Sequence, residues 1–222
     1  KESAGISLGI CGMNAVFSAL KSIERVQQKE ERNIFVQFGW LYLDTMEILR
    51  KFHSHSLHVE PNMSIANLEN FLKAKGNQTA AIFAEVTTNP LIQTPDLPTL
   101  YKLARQYDIP VVVDATFGTP HNVDVAPYAD VIIESLTKFA CGNADVMMGA
   151  LIANDHSPWY SYITNHIPAF LETPFEGDIR RLAFEIKGYK ARMEKINQNT
   201  LALIEYFKNC EHIKEIYWPY QE

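Results

Sequence analysis

Lys138 stands in the stretch SLTKF, beside the hydroxyls of Ser135 and Thr137, at the end of the apolar run DVIIE. A lysine drawn out of water there would carry a lowered pKa and act as an amine nucleophile toward a carbonyl carbon. Asp114 ends a second apolar run, IPVVVD. A carboxylate so placed can hold a heteroaromatic nitrogen protonated. In ICGMNAV, Gly12 and Met13 open a helical pattern, whose first backbone N–H groups are free to receive an anion. Ser135 and Thr137 add hydroxyl donors. Tyr42 follows the run NIFVQFG and offers a ring face for stacking.

These residues need elements to position them, and the apolar periodicity alternates between helix and strand. Helices are predicted over 12–29, over 44–55 with Asp44 as N-cap, over 64–76 with Ser64 as cap and Gly76 as stop, and over 96–108 capped by Asp96. A long helical pattern covers 178–209 and is expected to break or bend at Gly188. Strands are predicted over 33–39, 79–86, 109–116, 129–135 and 149–154. Continuous apolar strands separated by helices imply an α/β fold with a mostly parallel sheet flanked by helices on both faces. Ligands on such sheets sit beyond the strand C-terminal ends. Tyr42, Asn89, Asp114, Ser135, Thr137 and Lys138 all fall just after or at the end of a strand. An anion cradle, an amine, an acid for a ring nitrogen and a planar partner together form the inventory for pyridoxal phosphate.

Composition bounds the alternatives. The 222 residues suffice for one large α/β domain. A net charge of −6 without a basic stripe argues against nucleic acid or an anionic membrane as partner. No apolar run is long enough to span a membrane and no secretory signal opens the chain. Cys11, Cys141 and Cys210 are scattered, which indicates neither a disulfide framework nor a zinc site. A reducing cytoplasm is the expected compartment. The HSHSLH stretch (53–58) is read as a solvated helix end, because helical spacing does not gather its three histidines; no metal is expected. The glycines of GISLGICG (5–12) are not spaced for a dinucleotide and no clear strand precedes them. The chain starts at Lys1 and ends on IYWPYQE, so it reads as a piece of a longer polypeptide.

The motifs also resemble a family. VVVDATFGTP, SLTKF and GNADVMMGALI look like the core of the pyridoxal-phosphate enzymes of cysteine and methionine metabolism, which include cystathionine γ-synthase, cystathionine γ- and β-lyases, methionine γ-lyase and O-acylhomoserine sulfhydrylases. CGMNAV, YLDT (42–45), EVTTNP (85–90), GYKARM (188–193) and IYWP (216–219) resemble further family segments, in the family's order. The resemblance implies a seven-stranded-type sheet and the cofactor pyridoxal 5'-phosphate. It implies that Lys138 binds the cofactor's aldehyde and moves protons, that Asp114 pairs with the ring nitrogen and that Tyr42 stacks on the ring. Gly12, Met13, Ser135 and Thr137 would hold the phosphate, Asn89 would touch the ring-hydroxyl side and Thr116 would neighbour the ring. Residues 1–209 would form the cofactor domain without the family's N-terminal arm, and 210–222 would begin the connection to a C-terminal small domain. An amino-acid substrate and a homodimer or homotetramer follow as expectations, with γ-replacement ahead of γ- or β-elimination.

The plainer readings are a surface amine for Lys138, a helix cap or metal ligand for Asp114, core packing for Tyr42 and strand-end caps for Ser135 and Thr137. Ala115, Leu43–Asp44 and ACGNAD depart from the family wording near the cofactor rim. With them stands a competing reading of another class, a non-catalytic or truncated relative serving as an assembly module. A nicotinamide oxidoreductase lacks any fingerprint here.

Overall fold

A computed structural model describes residues 5–218. Seven strands form one sheet in the order β1-β7-β6-β5-β4-β2-β3. They are β1 (Ile6–Gly9), β2 (Ile34–Phe38), β3 (Leu57–Glu60), β4 (Thr79–Glu85), β5 (Val111–Asp114), β6 (Val131–Ser135) and β7 (Gly149–Ala153). The five strands from β3 to β6 are parallel, and β7 runs antiparallel to both of its neighbours. The helices are α1 (Gly12–Gln27), α2 (Leu43–His53), α3 (Ile65–Lys75), α4 (Leu97–Arg105), α5 (Thr119–Asn122), α6 (Tyr160–His166), α7 (Glu176–Glu185) and α8 (Tyr189–Lys208).

Strand alternation divides the core. Phe35, Phe83, Val112 and Ile133 face Ala15, Val16 and Leu20 of α1, together with Met46 and Leu49 of α2. Val36, Ile82, Val111 and Val113 face Leu68 and Leu72 of α3 and Leu100 of α4. With both faces covered, β4 is buried at all seven positions, which is why its sequence reads as an unbroken apolar run. A third cluster joins Leu136, Met148 and Ala150 to Leu182, Tyr189 and Met193.

Local signals account for some helix ends. Ser64 and Asp96 accept from the N–H groups of Asn67 (3.2 Å) and Thr99 (3.1 Å) as side-chain caps. Gly76 is the C-cap of α3. The 178–209 pattern separates into α7 and α8 through a 3-10 turn ending at Gly188.

Three expectations are corrected, and α6, α5 and β3 had none. The N-cap of α2 is Tyr42, and Asp44 lies in the first turn, where its charge favours the helix dipole without capping. A strand, β1, does precede the turn at Cys11–Gly12; it is a four-residue edge strand with Ile6 and Leu8 exposed, so it carries no buried apolar run. The histidine stretch is no solvated helix end. His53 ends α2, buried against Phe35, while His58 lies in β3 with its ring stacked on Phe71 at 3.7 Å. The IYWP match extends to Pro219, outside the described residues.

Candidate active site at the strand C-terminal ends

The phosphate-type cradle is built where α1 starts. Cys11 is its N-cap, and its thiol accepts from the Asn14 N–H at 3.4 Å. Among the described residues, no acceptor pairs with the N–H groups of Gly12 or Met13. Met13 packs its side chain on the core, leaving its backbone as the available group. A side chain at Gly12 would put Cβ 3.0 Å from Ser135 Cβ and 3.2 Å from Ser135 Oγ, so the helix start and the end of β6 touch only because residue 12 is glycine. Gly149 allows an equally close approach, since a Cβ there would lie 2.4 Å from the Cys11 carbonyl oxygen. The result is a concavity of free N–H groups beside the Ser135 side chain, at the positive end of a 16-residue helix.

The neighbouring strands carry the acids. Asp114 ends β5, in register with Glu85 on β4 and Ile133 on β6. The Thr116 N–H donates to Asp114 Oδ1 (2.9 Å), and Thr116 Oγ1 accepts from the Ser135 N–H (2.8 Å). Thr116 therefore stitches the Asp114 strand end to the Ser135 strand end. Burial pushes the Asp114 carboxyl up, and the Thr116 bonds offset part of that. Glu85, 6% exposed, is pushed up to about 7 by burial and by the Asp114 charge, against the hydrogen bond it accepts from the Tyr42 N–H. Among the described residues, neither acid has a cationic partner. A cation-free carboxyl such as Asp114 is suited to receive a cationic ring N–H.

Lys138 is held at its backbone and free at its head. Its N–H donates to Ser135 O (3.1 Å), and its carbonyl accepts from Gly142 N (3.0 Å). Arg192, from the GYKARM stretch on α8, clamps the next residues by donating to Phe139 O (2.9 Å) and Ala140 O (2.8 Å). The Lys138 side chain is exposed, contrary to the expectation of a desolvated amine. The reason is local: Lys138 lies in the turn beyond β6, and the described chain places no element over it.

The other candidates fall at the same end of the sheet. Tyr42 is 44% exposed, with a free ring and its N–H bonded to Glu85 Oε2 (2.7 Å). Asn89 is exposed on the connection after β4. Thr137 differs from Ser135, because its hydroxyl already accepts from Met148 N (3.1 Å) and donates to Met148 O (3.4 Å). That is the strand-end capping reading, so less of the hydroxyl remains for a ligand.

Three contributors were not singled out in the sequence. Glu85 lies in EVTTNP, the same motif as Asn89, and Arg192 lies in GYKARM. Glu134, on β6 and buried, accepts from the Tyr189 hydroxyl at 2.6 Å and fastens α8 beneath the site. Only motif membership could have flagged the first two, and no sequence signal marks the third.

The residues fit pyridoxal phosphate at both of its charged ends: open N–H donors at a glycine-dependent concavity, and the cation-free Asp114 carboxyl on the adjacent strand. Comparison with known proteins agrees. The model of the Cys/Met metabolism PLP-dependent enzyme family matches residues 2–222. The L-2-amino-4-chloropent-4-enoate dechlorinase/desaturase of Streptantibioticus cattleyicolor is 37% identical over 221 residues, 99% of this chain and 44% of that protein. The cystathionine gamma-synthase of Neurospora crassa is 32% identical over 214 residues, 94% of this chain and 34% of that protein. The chain thus spans less than half the length of these relatives. Among solved structures, one from Campylobacter jejuni, described as an O-acetylhomoserine (thiol)-lyase and containing a pyridoxyl-lysine phosphate, superimposes with a TM-score of 0.79 at 20% identity, over 97% of this chain and 60% of that one.

Proposed function

The chain belongs to the Cys/Met metabolism PLP-dependent enzymes, and we propose that it is the cofactor-holding part of an enzyme acting on amino acids with a leaving group at Cγ. The observation that carries the reading is the succession Gly12–Ser135–Thr116–Asp114, which links an anion cradle to an acid through direct contacts, with Lys138 three residues beyond Ser135. Pyridoxal phosphate, when bound, supplies an aldehyde for amines and an electron-poor ring that stabilises negative charge at Cα.

The remaining work falls to the chain. Gly12, Met13 and Ser135 hold the phosphate, with Thr137 shaping the turn beside it. Asp114 keeps the ring nitrogen protonated, and Thr116 keeps Asp114 oriented. Tyr42 covers one ring face, and Asn89 lies on the ring-hydroxyl side. The Lys138 amine holds the aldehyde and carries protons between Cα and Cβ so that the γ-substituent can leave. Reaction then ends in γ-replacement by a thiol such as cysteine, as the name cystathionine gamma-synthase describes for the Neurospora relative.

A second reading is γ-elimination without replacement. The name of the Streptantibioticus relative favours it, because a chlorine at carbon 4 of a 2-amino acid is a γ-substituent. The complete protein should be assayed with O-acylhomoserine plus cysteine, with cystathionine alone, and with 2-amino-4-chloropent-4-enoate. Cysteine-dependent formation of cystathionine supports replacement, and chloride or keto-acid release without a thiol supports elimination. No release of any γ-substituent would sink both.

The drying of Lys138 then falls to chain beyond this segment or to a second subunit. Leu43 at the start of α2, and Leu91, Phe117 and Met147 on the connections, are exposed apolar residues around the same sheet end. A homodimer or homotetramer covering these residues is the assembly proposed, with 210–222 leading toward a C-terminal domain. Sedimentation of the complete protein tests it; a monomer that turns over substrate would refute it.

A further inference from the structure

Glu85 is the buried acid of the site to which the reading above assigns no task. It ends β4 at 6% exposure, beside Asp114 in register, and among the described residues no cation pairs with it. A buried carboxylate without a cation costs stability unless hydrogen bonds offset it. Its hydrogen-bond donor is the Tyr42 N–H at 2.7 Å, 43 residues away in sequence. Tyr42 has no side-chain hydrogen bond, and its ring is 44% exposed. Where that ring lies is therefore set by its backbone, and the backbone is tied to Glu85.

Resting on the cofactor reading, we propose that Glu85 is a positioning residue: one buried carboxylate holds the Tyr42 backbone at the strand end beside Asp114. It fixes the height of the stacking ring, and it touches neither substrate nor cofactor. Asp114 on β5 is the titratable group facing Glu85, and its charge also acts on Glu134 on β6, one strand further. No lysine, arginine or histidine of the described residues contributes to Glu85's charge balance.

Two measurements decide the assignment. In the cofactor-free chain, the amide resonance of Tyr42 should move with pH along a curve centred near neutrality. Glu85→Gln should abolish that curve, and Asp114→Asn should shift it to lower pH. A Tyr42 amide that does not move with pH, or a curve that survives in Glu85→Gln, would overturn the proposal. In the second measurement, pyridoxal phosphate is titrated into wild type, Glu85→Ala, Tyr42→Ala and the double variant. Each single change should weaken binding about tenfold, and the double variant should be no weaker than the worse single one. Losses that multiply would show that Glu85 does not act through Tyr42. If wild type itself fails to take up pyridoxal phosphate, the cofactor reading falls, while the amide titration still decides what Glu85 holds.

Discussion

Replacing Glu85 by glutamine should make the cofactor-free chain more stable at mildly alkaline pH and leave it little changed in acid. In the folded chain the Glu85 carboxyl is raised from 4.5 to about 7, chiefly by burial and then by Asp114. The unfolded chain releases this proton near pH 4.5, and the folded chain retains it up to about 7. Between those values the folded state binds more protons, so stability falls as pH rises and levels off above the folded pKa. A separation of about 2.5 units corresponds to about 3 kcal/mol lost between pH 4 and pH 8. Glutamine keeps an acceptor for the Tyr42 N–H and carries no charge, so the variant lacks this decline. At pH 8 it should exceed wild type by about 3 kcal/mol, or roughly 6–12 °C in melting temperature for a chain of this size. Denaturant and thermal unfolding of both proteins at several pH values measure the difference. Parallel stability profiles from pH 4 to 8 would refute the reasoning, because they would mean that Glu85 is ionised at little cost.

Other outcomes follow from the same contacts. Gly12→Val should weaken pyridoxal phosphate binding by about tenfold or more while shifting the melting temperature little, because its Cβ would crowd Ser135 in the cradle and not the core; ligand titration and melting separate the two effects. Tyr189→Phe removes the donor to buried Glu134 and should cost about 1–3 kcal/mol in denaturant unfolding. That cost should grow toward higher pH, since Glu134 is then ionised without its hydroxyl donor. Asp114→Asn should still capture the cofactor at Lys138 but lose most turnover of a γ-substituted amino acid in the complete protein, as kcat measurements would show.

The sheet's centre was legible because strands covered on both faces are written as unbroken apolar runs, and β4, β5 and β6 are such runs. Ser64, Asp96 and Gly76 were legible because capping is local chemistry. The edge strands β1 and β3 were not. Each is four residues long and half exposed, and each is strand by virtue of pairing with β7 or β2 rather than by its own pattern. His53 misled for the same reason, since its burial comes from Phe35 across the core.

At the site, motif order brought Gly12, Tyr42, Asn89, Asp114, Ser135 and Lys138 to one end of the sheet. Burial was the part a linear reading could not supply. The residue expected to be dry, Lys138, is exposed, and the acid that is dry, Glu85, had no mark of its own. Alternation along a strand tells which face a side chain takes, but not whether another element covers it once the strand has ended. The Tyr42 cap is likewise tertiary, because the group that fixes it lies on another strand.

The account rests on Lys138 being the amine that holds the cofactor. The chain should be incubated with pyridoxal phosphate, reduced with borohydride, digested and mapped, with Lys138→Ala treated alongside. The account predicts one pyridoxyl group, on the peptide containing Lys138, and none retained by the variant. Label spread over surface lysines, or equal label in Lys138→Ala, would contradict it.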